Sequence, residues 1–91
     1  MNIHIIGGGN LGVAIALGIS KFTNGHQLTI TRRNIESIQY LTQNGIIVSS
    51  NNTQEIQKAD VVILAIKPYQ ADTVLKEITP FITHKVIASA A

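Results

Sequence analysis

The 91-residue sequence contains no cysteine, so disulfides and thiolate metal sites are excluded and no redox compartment can be inferred. Aromatic residues make up 4% of the chain and hydrophobic residues 45%, so the core must be aliphatic. Charged residues make up only 13%, with a net charge of +2, too mild a balance to indicate a nucleic-acid binder. No apolar run approaches the roughly 18 residues of a membrane span. Because no basic stretch precedes an apolar region, we expect a cytoplasmic protein without a signal peptide.

Short apolar runs alternate with amphipathic segments along the whole chain. The five predicted strands span residues 3–6, 27–31, 46–48, 61–66 and 85–88. The first predicted helix spans residues 10–22 and the last spans 69–78. The second is capped by Asn34, contains Ile35, Ile38, Tyr40 and Leu41, and ends at Asn44-Gly45. The third is short, is capped by Asn52 or Thr53, and runs to about Lys58. This alternation predicts an α/β domain over residues 1–91, with a parallel sheet of about five strands and helices on both faces.

A glycine-rich turn, Gly7-Gly8-Gly9-Asn10-Leu11-Gly12, fits G-x-G-x-x-G between the first strand and the first helix. Alone the pattern is weak, but this context predicts a Rossmann-type dinucleotide-binding domain. Gly7 would allow the tight turn, Gly9 the close approach of the pyrophosphate, and Gly12 the packing of helix on strand. The N–H groups at the helix start would face the phosphates. The alternative is a turn without a ligand, and Asn10 could cap the helix or contact the cofactor.

The end of the second strand predicts which dinucleotide binds. An NAD site usually places an acid there for the ribose 2′-hydroxyl, but the sequence reads Thr31-Arg32-Arg33-Asn34, with no acid before Glu36. Guanidinium groups bind a 2′-phosphate through charge-assisted hydrogen bonds, and one of them can stack on adenine. We therefore predict NADP(H) rather than NAD(H). The alternative is a pair of solvated surface arginines.

Beyond these motifs, the sequence resembles the N-terminal domain of the pyrroline-5-carboxylate reductases over nearly its whole length. The shared segments are 6–12 with Ala14-Ile15 and Gly18, Asn52, 59–68, 74–78 and 86–91. The most particular of these are Leu64-Ala65-Ile66-Lys67-Pro68 and Ser89-Ala90-Ala91. The resemblance implies hydride transfer from NAD(P)H to a cyclic imine, giving L-proline.

The resemblance also implies which residues bind the cofactor. They are Ile6, Gly7, Gly8, Gly9, Asn10, Leu11 and Gly12 at the pyrophosphate, Thr31, Arg32 and Arg33 at the adenosine end, Asn52, Ala65, Ile66, Lys67 and Pro68 along the cofactor, and Ser89, Ala90 and Ala91 beside the nicotinamide. In the family a second, mostly helical domain follows and supplies the imine-binding groups and the dimer interface. We therefore expect this chain alone to be inactive, and expect a homo-oligomer. The alternatives are a deazaflavin-dependent NADP reductase and a non-catalytic nucleotide-binding module.

Few other side chains suggest chemistry. Lys67 could place positive charge near an anionic substrate or a phosphate, or be a solvated loop residue. His4 lies within an apolar strand, which predicts a hydrogen-bonded structural role, whereas His26 and His84 flank turns and predict surface positions. We therefore predict no metal site and assign no catalytic residue.

Overall fold

The alternating segments form a single five-stranded sheet in the order β3-β2-β1-β4-β5, and all of its neighbouring strands are parallel. The computed structural model describes residues 1–7, 9–22, 25–82 and 86–89. The strands are β1 (Asn2–Ile6), β2 (Gln27–Thr31), β3 (Ile47–Ser49), β4 (Val61–Leu64) and β5 (Val86–Ser89). The helices are α1 (Asn10–Phe22), a 3₁₀ helix (Ile35–Asn44), α2 (Asn52–Ile56), α3 (Pro68–Ile78) and a short 3₁₀ turn (Thr79–Phe81). The predicted α/β class with a Rossmann-type sheet is confirmed.

Both faces of the sheet are covered by helices, because alternate residues of a strand point to opposite sides. On one side α1 and the Ile35–Asn44 helix pack on the strands; the buried residues there are Ile3, Ile5, Ala16, Leu28, Ile30, Ile38, Leu41, Ile46 and Ala65. On the other side lie α2 and α3; the buried residues there are Ile6, Ile56, Ala59, Val62, Leu64 and Ile78. Complete burial of one such aliphatic side chain contributes about 1.5–3 kcal/mol. These two cores fix where the strands end, and so position the segments that follow them.

The second predicted helix forms, but as a 3₁₀ helix over Ile35–Asn44. The predicted ends are correct: the Asn34 side chain accepts a hydrogen bond from the Glu36 N–H, and Gly45 adopts a left-handed conformation with φ of 76°. Its inward stripe consists of the buried Ile38 and Leu41 and the partly buried Ile35, spaced by three, and residues three apart eclipse in a 3₁₀ helix. Tyr40 falls outside this stripe and is 52% exposed.

Several other boundaries differ from the prediction by one or two residues, including the starts of β1, β3 and α3 and the end of α2. The cap of α2 is Asn51, whose side-chain oxygen accepts from the Gln54 N–H at 2.9 Å, so the expected cap at Asn52 or Thr53 is wrong. Strand β4 ends at Leu64, two residues earlier than predicted. The strand predicted over 85–88 is β5, Val86–Ser89, while residue 85 lies outside the described residues. These shifts leave the predicted topology unchanged.

Candidate dinucleotide-binding site

The segments that the sequence singled out emerge from one edge of the sheet. The strand register places the following last residues in a row across it: Ser49, Thr31, Ile6, Leu64 and Ser89. The glycine-rich turn follows β1, the two arginines follow β2, and the Lys67-Pro68 turn follows β4. The strand order reverses between β1 and β4, which is where open α/β sheets form a binding crevice. Gly8, Ala90 and Ala91, which the sequence places in the site, lie outside the described residues.

Gly7 makes the tight turn at the end of β1, as predicted. Its φ is +110°, a conformation that side-chain-bearing residues rarely adopt. A Cβ atom built on Gly7 would lie 2.4 Å from the Ala65 carbonyl oxygen and 2.9 Å from Ile66 Cγ2. The Gly7 N–H donates to the Thr31 carbonyl at 2.9 Å, which ties the turn to β2. The chain after β1 is therefore in close contact with the chain after β4 at the point of strand reversal.

Gly12 lets α1 pack against this turn, again as predicted. A Cβ on Gly12 would lie 1.8 Å from the Gly7 carbonyl oxygen and 3.5 Å from Ala65 Cβ. Gly9 differs: it is exposed, and no atom would lie within 4 Å of a Cβ placed there. Helix α1 begins at Asn10, so Asn10 already belongs to the helix and does not cap it. The backbone at the start of α1 thus faces open space, where an anion would meet free N–H groups.

Beside this turn lies a cleft of about 330 Å³. Gly9 and Asn10 line it on one side, and Arg32, Ser37 and Tyr40 line it on the other. Arg32 Nη1 donates to the Ser37 hydroxyl at 2.8 Å, and its backbone N–H donates to the Ser49 carbonyl at 3.1 Å. Arg33 is exposed but is not among the residues that line the cleft. The structure therefore brings one of the two predicted arginines to the glycine-rich turn.

A smaller pocket of about 160 Å³ lies at the other end of α1, where β2 and β3 begin. Ser20, His26, Asn44 and Gly45 are among the residues that line it. It opens away from the carboxyl edge of the sheet and from every segment that the sequence assigned to the cofactor. The larger cleft is the one that meets the topological requirement for a nucleotide site.

Three polar side chains are linked beneath the carboxyl edge. His4 is 1% exposed, and its Nε2 lies 3.0 Å from Thr31 Oγ1. Thr31 is 2% exposed, and its hydroxyl donates in turn to Asn52 Oδ1 at the start of α2. Burial lowers the pKa of His4 from 6.5 to about 4, so its ring is neutral at pH 7. The predicted structural, hydrogen-bonded histidine is confirmed. The side chain of Thr31, a residue that the sequence assigned to the cofactor site, is the middle member of this hydrogen-bonded series.

The turn after β4 combines buried and exposed residues. Ala65 is buried, and its N–H donates to the Ile6 carbonyl at 2.9 Å, which extends the β1–β4 contact. Lys67 is exposed; its N–H donates to Gln70 Oε1 at 3.3 Å, and Pro68 begins α3. Proline suits this position because its missing N–H would have no helical partner. The exposure of Lys67 is compatible with both roles that the sequence left open.

A family match accounts for this arrangement. The family described as NADP oxidoreductase, coenzyme F420-dependent, matches residues 2–91. The chain belongs to this family. Pyrroline-5-carboxylate reductase 2 of Dictyostelium discoideum is 38% identical over 92 residues, which cover 96% of this chain and 31% of that protein.

Two solved pyrroline-5-carboxylate reductases share the fold of this chain. The enzyme from Coxiella burnetii matches with a TM-score of 0.85 and 28% identity, over 97% of this chain and 34% of that one. The enzyme from Streptococcus pyogenes matches with a TM-score of 0.75 and 36% identity, over 98% and 33%. The chain therefore spans about a third of the length of the relatives it matches. The predicted resemblance to the cofactor domain of these reductases is confirmed.

Two polar residues, Ser37 and Tyr40, are among the cleft residues that sequence reasoning missed. They are three residues apart, so a 3₁₀ period places both on one side of the helix. The three-residue spacing of Ile35, Ile38 and Leu41 was the signal from which the positions of Ser37 and Tyr40 could have been found. Over the described ranges, no helix is long and apolar enough to cross a membrane, and no cluster of three metal-ligating side chains occurs.

Proposed function

We propose that this chain is the NADP(H)-binding domain of a pyrroline-5-carboxylate reductase, with the cofactor lying along the carboxyl edge of the sheet. The observation that carries the proposal is the glycine-rich turn. Gly7 and Gly12 are held by backbone contacts at the strand reversal, while Gly9 faces open space next to a cleft lined by Arg32. A turn of this construction leaves room for a pyrophosphate against the start of α1.

The pyrophosphate end of the site uses backbone groups. The first N–H groups of α1 have no helical partner and carry the positive end of the helix dipole. The exposed residues Gly9, Asn10 and Leu11 present this helix start to the cleft. In the proposed complex these N–H groups donate to phosphate oxygens. The buried Ile6 contributes through its main chain only.

The adenosine end uses side chains. Arg32 is held over the cleft by Ser37, in position to bind a 2′-phosphate with charge-assisted hydrogen bonds. Tyr40, exposed on the same side, offers an aromatic face to the adenine. Arg33 adds positive charge from outside the cleft. The absence of an acid at the end of β2 leaves no carboxylate there to accept from a free ribose 2′-hydroxyl.

The nicotinamide half would extend past β4 toward β5. Asn52, the Ala65-to-Pro68 turn and Ser89-Ala90-Ala91 are the residues that we assign to it. The bound NADPH supplies the hydride, and the role of these residues is to orient the nicotinamide ring. Lys67 would place a positive charge near an anionic substrate. The cytoplasmic location expected from the sequence belongs to the same proposal.

The chain alone should not reduce the imine at a useful rate. It spans 31% of its Dictyostelium relative, and hydride transfer requires the substrate to be held near the nicotinamide. We also propose self-association, because Ile87 is exposed on the edge strand β5. Steady-state assay with NADPH and the imine tests the first point, and clear saturable turnover would overturn it. Sedimentation tests the second, and a monomer at high concentration would contradict it.

Titration of the chain with NADPH and NADH tests the cofactor assignment. The expected result is saturable binding of both, with tighter binding of NADPH. Equal affinities would contradict the 2′-phosphate assignment, and no binding of either would contradict the proposed function. The family description also makes an NADP reductase that uses coenzyme F420 the second candidate. To distinguish the two candidates, oxidation of NADPH is measured with the imine and with coenzyme F420. The protein used is a chain that carries both domains, as the longer relatives do.

A further inference from the structure

A buried series of hydrogen bonds links the side chains of His4, Thr31 and Asn52. The packing of the sheet alone does not require polar side chains at these positions. The neighbours of this series on the same face, Ile6 and Val62, are apolar and buried. Burying a histidine and a threonine there lowers stability unless their hydrogen bonds are satisfied. Yet His4 Nδ1 is buried without a partner among the described residues. The arrangement therefore calls for an explanation beyond packing.

The number of available protons determines which group donates in each of the two hydrogen bonds among His4, Thr31 and Asn52. A threonine hydroxyl carries one proton. Because the Thr31 hydroxyl donates it to Asn52 Oδ1, Thr31 Oγ1 can only accept from the His4 ring. The neutral His4 ring must then carry its proton on Nε2, which leaves Nδ1 as a bare acceptor.

The reverse direction would be less stable. A flipped Asn52 amide would donate to Thr31 Oγ1, the hydroxyl would donate to His4 Nε2, and the ring proton would be on Nδ1. That proton would be buried with no acceptor among the described residues. Orphaned buried N–H groups are rarer in proteins than under-used acceptors. The buried histidine therefore selects the orientation in which Asn52 points its oxygen inward.

The outward atom of Asn52 is then its Nδ2 amide, a donor. Asn52 is half-buried at the start of α2, three residues after β3 ends at the carboxyl edge, and within the described residues nothing accepts from Nδ2. We propose that His4 and Thr31 are positioning residues that fix the Asn52 amide so that Nδ2 donates to an oxygen of the bound dinucleotide. The inference rests on the proposed function, since it takes NADP(H) as the ligand.

Binding of NADPH by threonine variants tests the link. Thr31→Val removes the hydroxyl at constant shape and should weaken NADPH binding roughly fivefold to tenfold, the scale of one hydrogen bond. Thr31→Ser keeps the hydroxyl and should bind as the parent does. Thr29→Val is the matched control, because Thr29 is buried on the same face of β2 but further from the edge. Affinities are compared at a temperature where melting curves show every variant folded. Equal binding by Thr31→Val and the parent, or a loss in Thr31→Ser as large as in Thr31→Val, would overturn the inference.

A double-mutant cycle shows whether Thr31 acts through Asn52. Asn52→Ala should weaken NADPH binding, and adding Thr31→Val to it should cause no further loss. Additive losses would mean that Thr31 contributes independently, which would overturn the positioning role.

The ring tautomer of His4 is a test that needs no variant. Nitrogen-15 NMR of the parent chain at pH 7 should show the proton on Nε2. A proton on Nδ1 would overturn the inference even if Thr31→Val fails to fold. The two proposals fail separately: absence of NADPH binding overturns the proposed function, whereas the wrong tautomer with normal binding overturns only the role of His4 and Thr31.

Discussion

The two sides of the cleft are built in opposite ways. The glycine turn, of which the structure describes Gly7 and residues 9–12, is held by backbone contacts at two positions: a Cβ on Gly7 or Gly12 would overlap a carbonyl oxygen. The arginine loop, residues 32–37, is exposed for most of its length and is held by side-chain hydrogen bonds such as that from Arg32 to Ser37. The glycine turn is thus fixed by the backbone packing of the fold, whereas the arginine loop lies on the surface and is held mainly by side-chain hydrogen bonds.

This difference separates two kinds of sensitivity. A change at Gly7 or Gly12 should alter the stability of the chain before it alters binding. A change in the arginine loop should alter the affinity and choice of cofactor at constant stability. The substitutions below test this separation.

Gly12→Ala should have the largest effect. The added Cβ would lie 1.8 Å from the Gly7 carbonyl oxygen, and a backbone atom cannot rotate away. We expect a loss of about 3 kcal/mol or more in the free energy of unfolding, at the upper end for overpacking. Urea unfolding measures it. Gly18→Ala, in the same helix, is the control: nothing lies within 4 Å, and alanine should stabilise the helix by up to about 1 kcal/mol. Similar results for both variants would contradict the assigned role of Gly12.

Arg32→Ala should have the next largest effect, and on binding alone. Loss of the guanidinium should weaken NADPH binding by about 1.5–3 kcal/mol, the value of a hydrogen bond to a charged group. NADH binding and the urea midpoint should be unchanged, because Arg32 is exposed. Arg33→Ala is the matched control and should cost less, since Arg33 does not line the cleft. A larger loss in Arg33→Ala would move the phosphate site out of the cleft.

The glycine turn was more predictable from sequence than the arginine loop. The positive φ of Gly7 and the contact of Gly12 with the Gly7 carbonyl are local, so the motif between a strand and a helix was enough to assign both glycines. The contact of Gly7 with Ala65 forms only in the assembled sheet. The parallel sheet and both helix layers also followed from the alternation of apolar runs, whereas the strand order required the structure. The arginine pair was recognisable, but which arginine lines the cleft depends on the 3₁₀ helix that follows. The three-residue spacing of Ile35, Ile38 and Leu41 agrees with that helix type, but the place of the helix beside Arg32 depends on its packing against the assembled sheet.

The link between His4 and Asn52 was beyond sequence reasoning for a similar reason. His4 and Asn52 are 48 positions apart in the sequence, and the side chain of Thr31 in β2 connects them. An apolar strand containing a histidine predicts burial and a hydrogen bond, but it does not predict the partner. The side-chain register between β1 and β2 supplies the partner, and register requires the assembled sheet.

Gly9→Ala should separate binding from stability within the glycine turn itself. Because no atom lies within 4 Å of the new Cβ, the free energy of unfolding should change little. The methyl group would occupy the space assigned to the pyrophosphate, so NADPH and NADH should both bind about 1–2 kcal/mol more weakly, as expected for overpacking. The two titrations, alongside urea unfolding, measure this. A loss confined to NADPH would be inconsistent with a pyrophosphate at Gly9.

Ser37→Ala should have the smallest effect. It tests how far Arg32 is held in its binding position before the cofactor binds. The variant removes the oxygen that holds Arg32 Nη1 at 2.8 Å, but keeps the guanidinium. NADPH affinity should fall by about 0.5–1 kcal/mol, because the arginine must then be ordered on binding. NADH affinity serves as the internal control and should not change. Unchanged NADPH binding would show that Arg32 needs no tether and that the arginine loop, like the glycine turn, is positioned by its backbone.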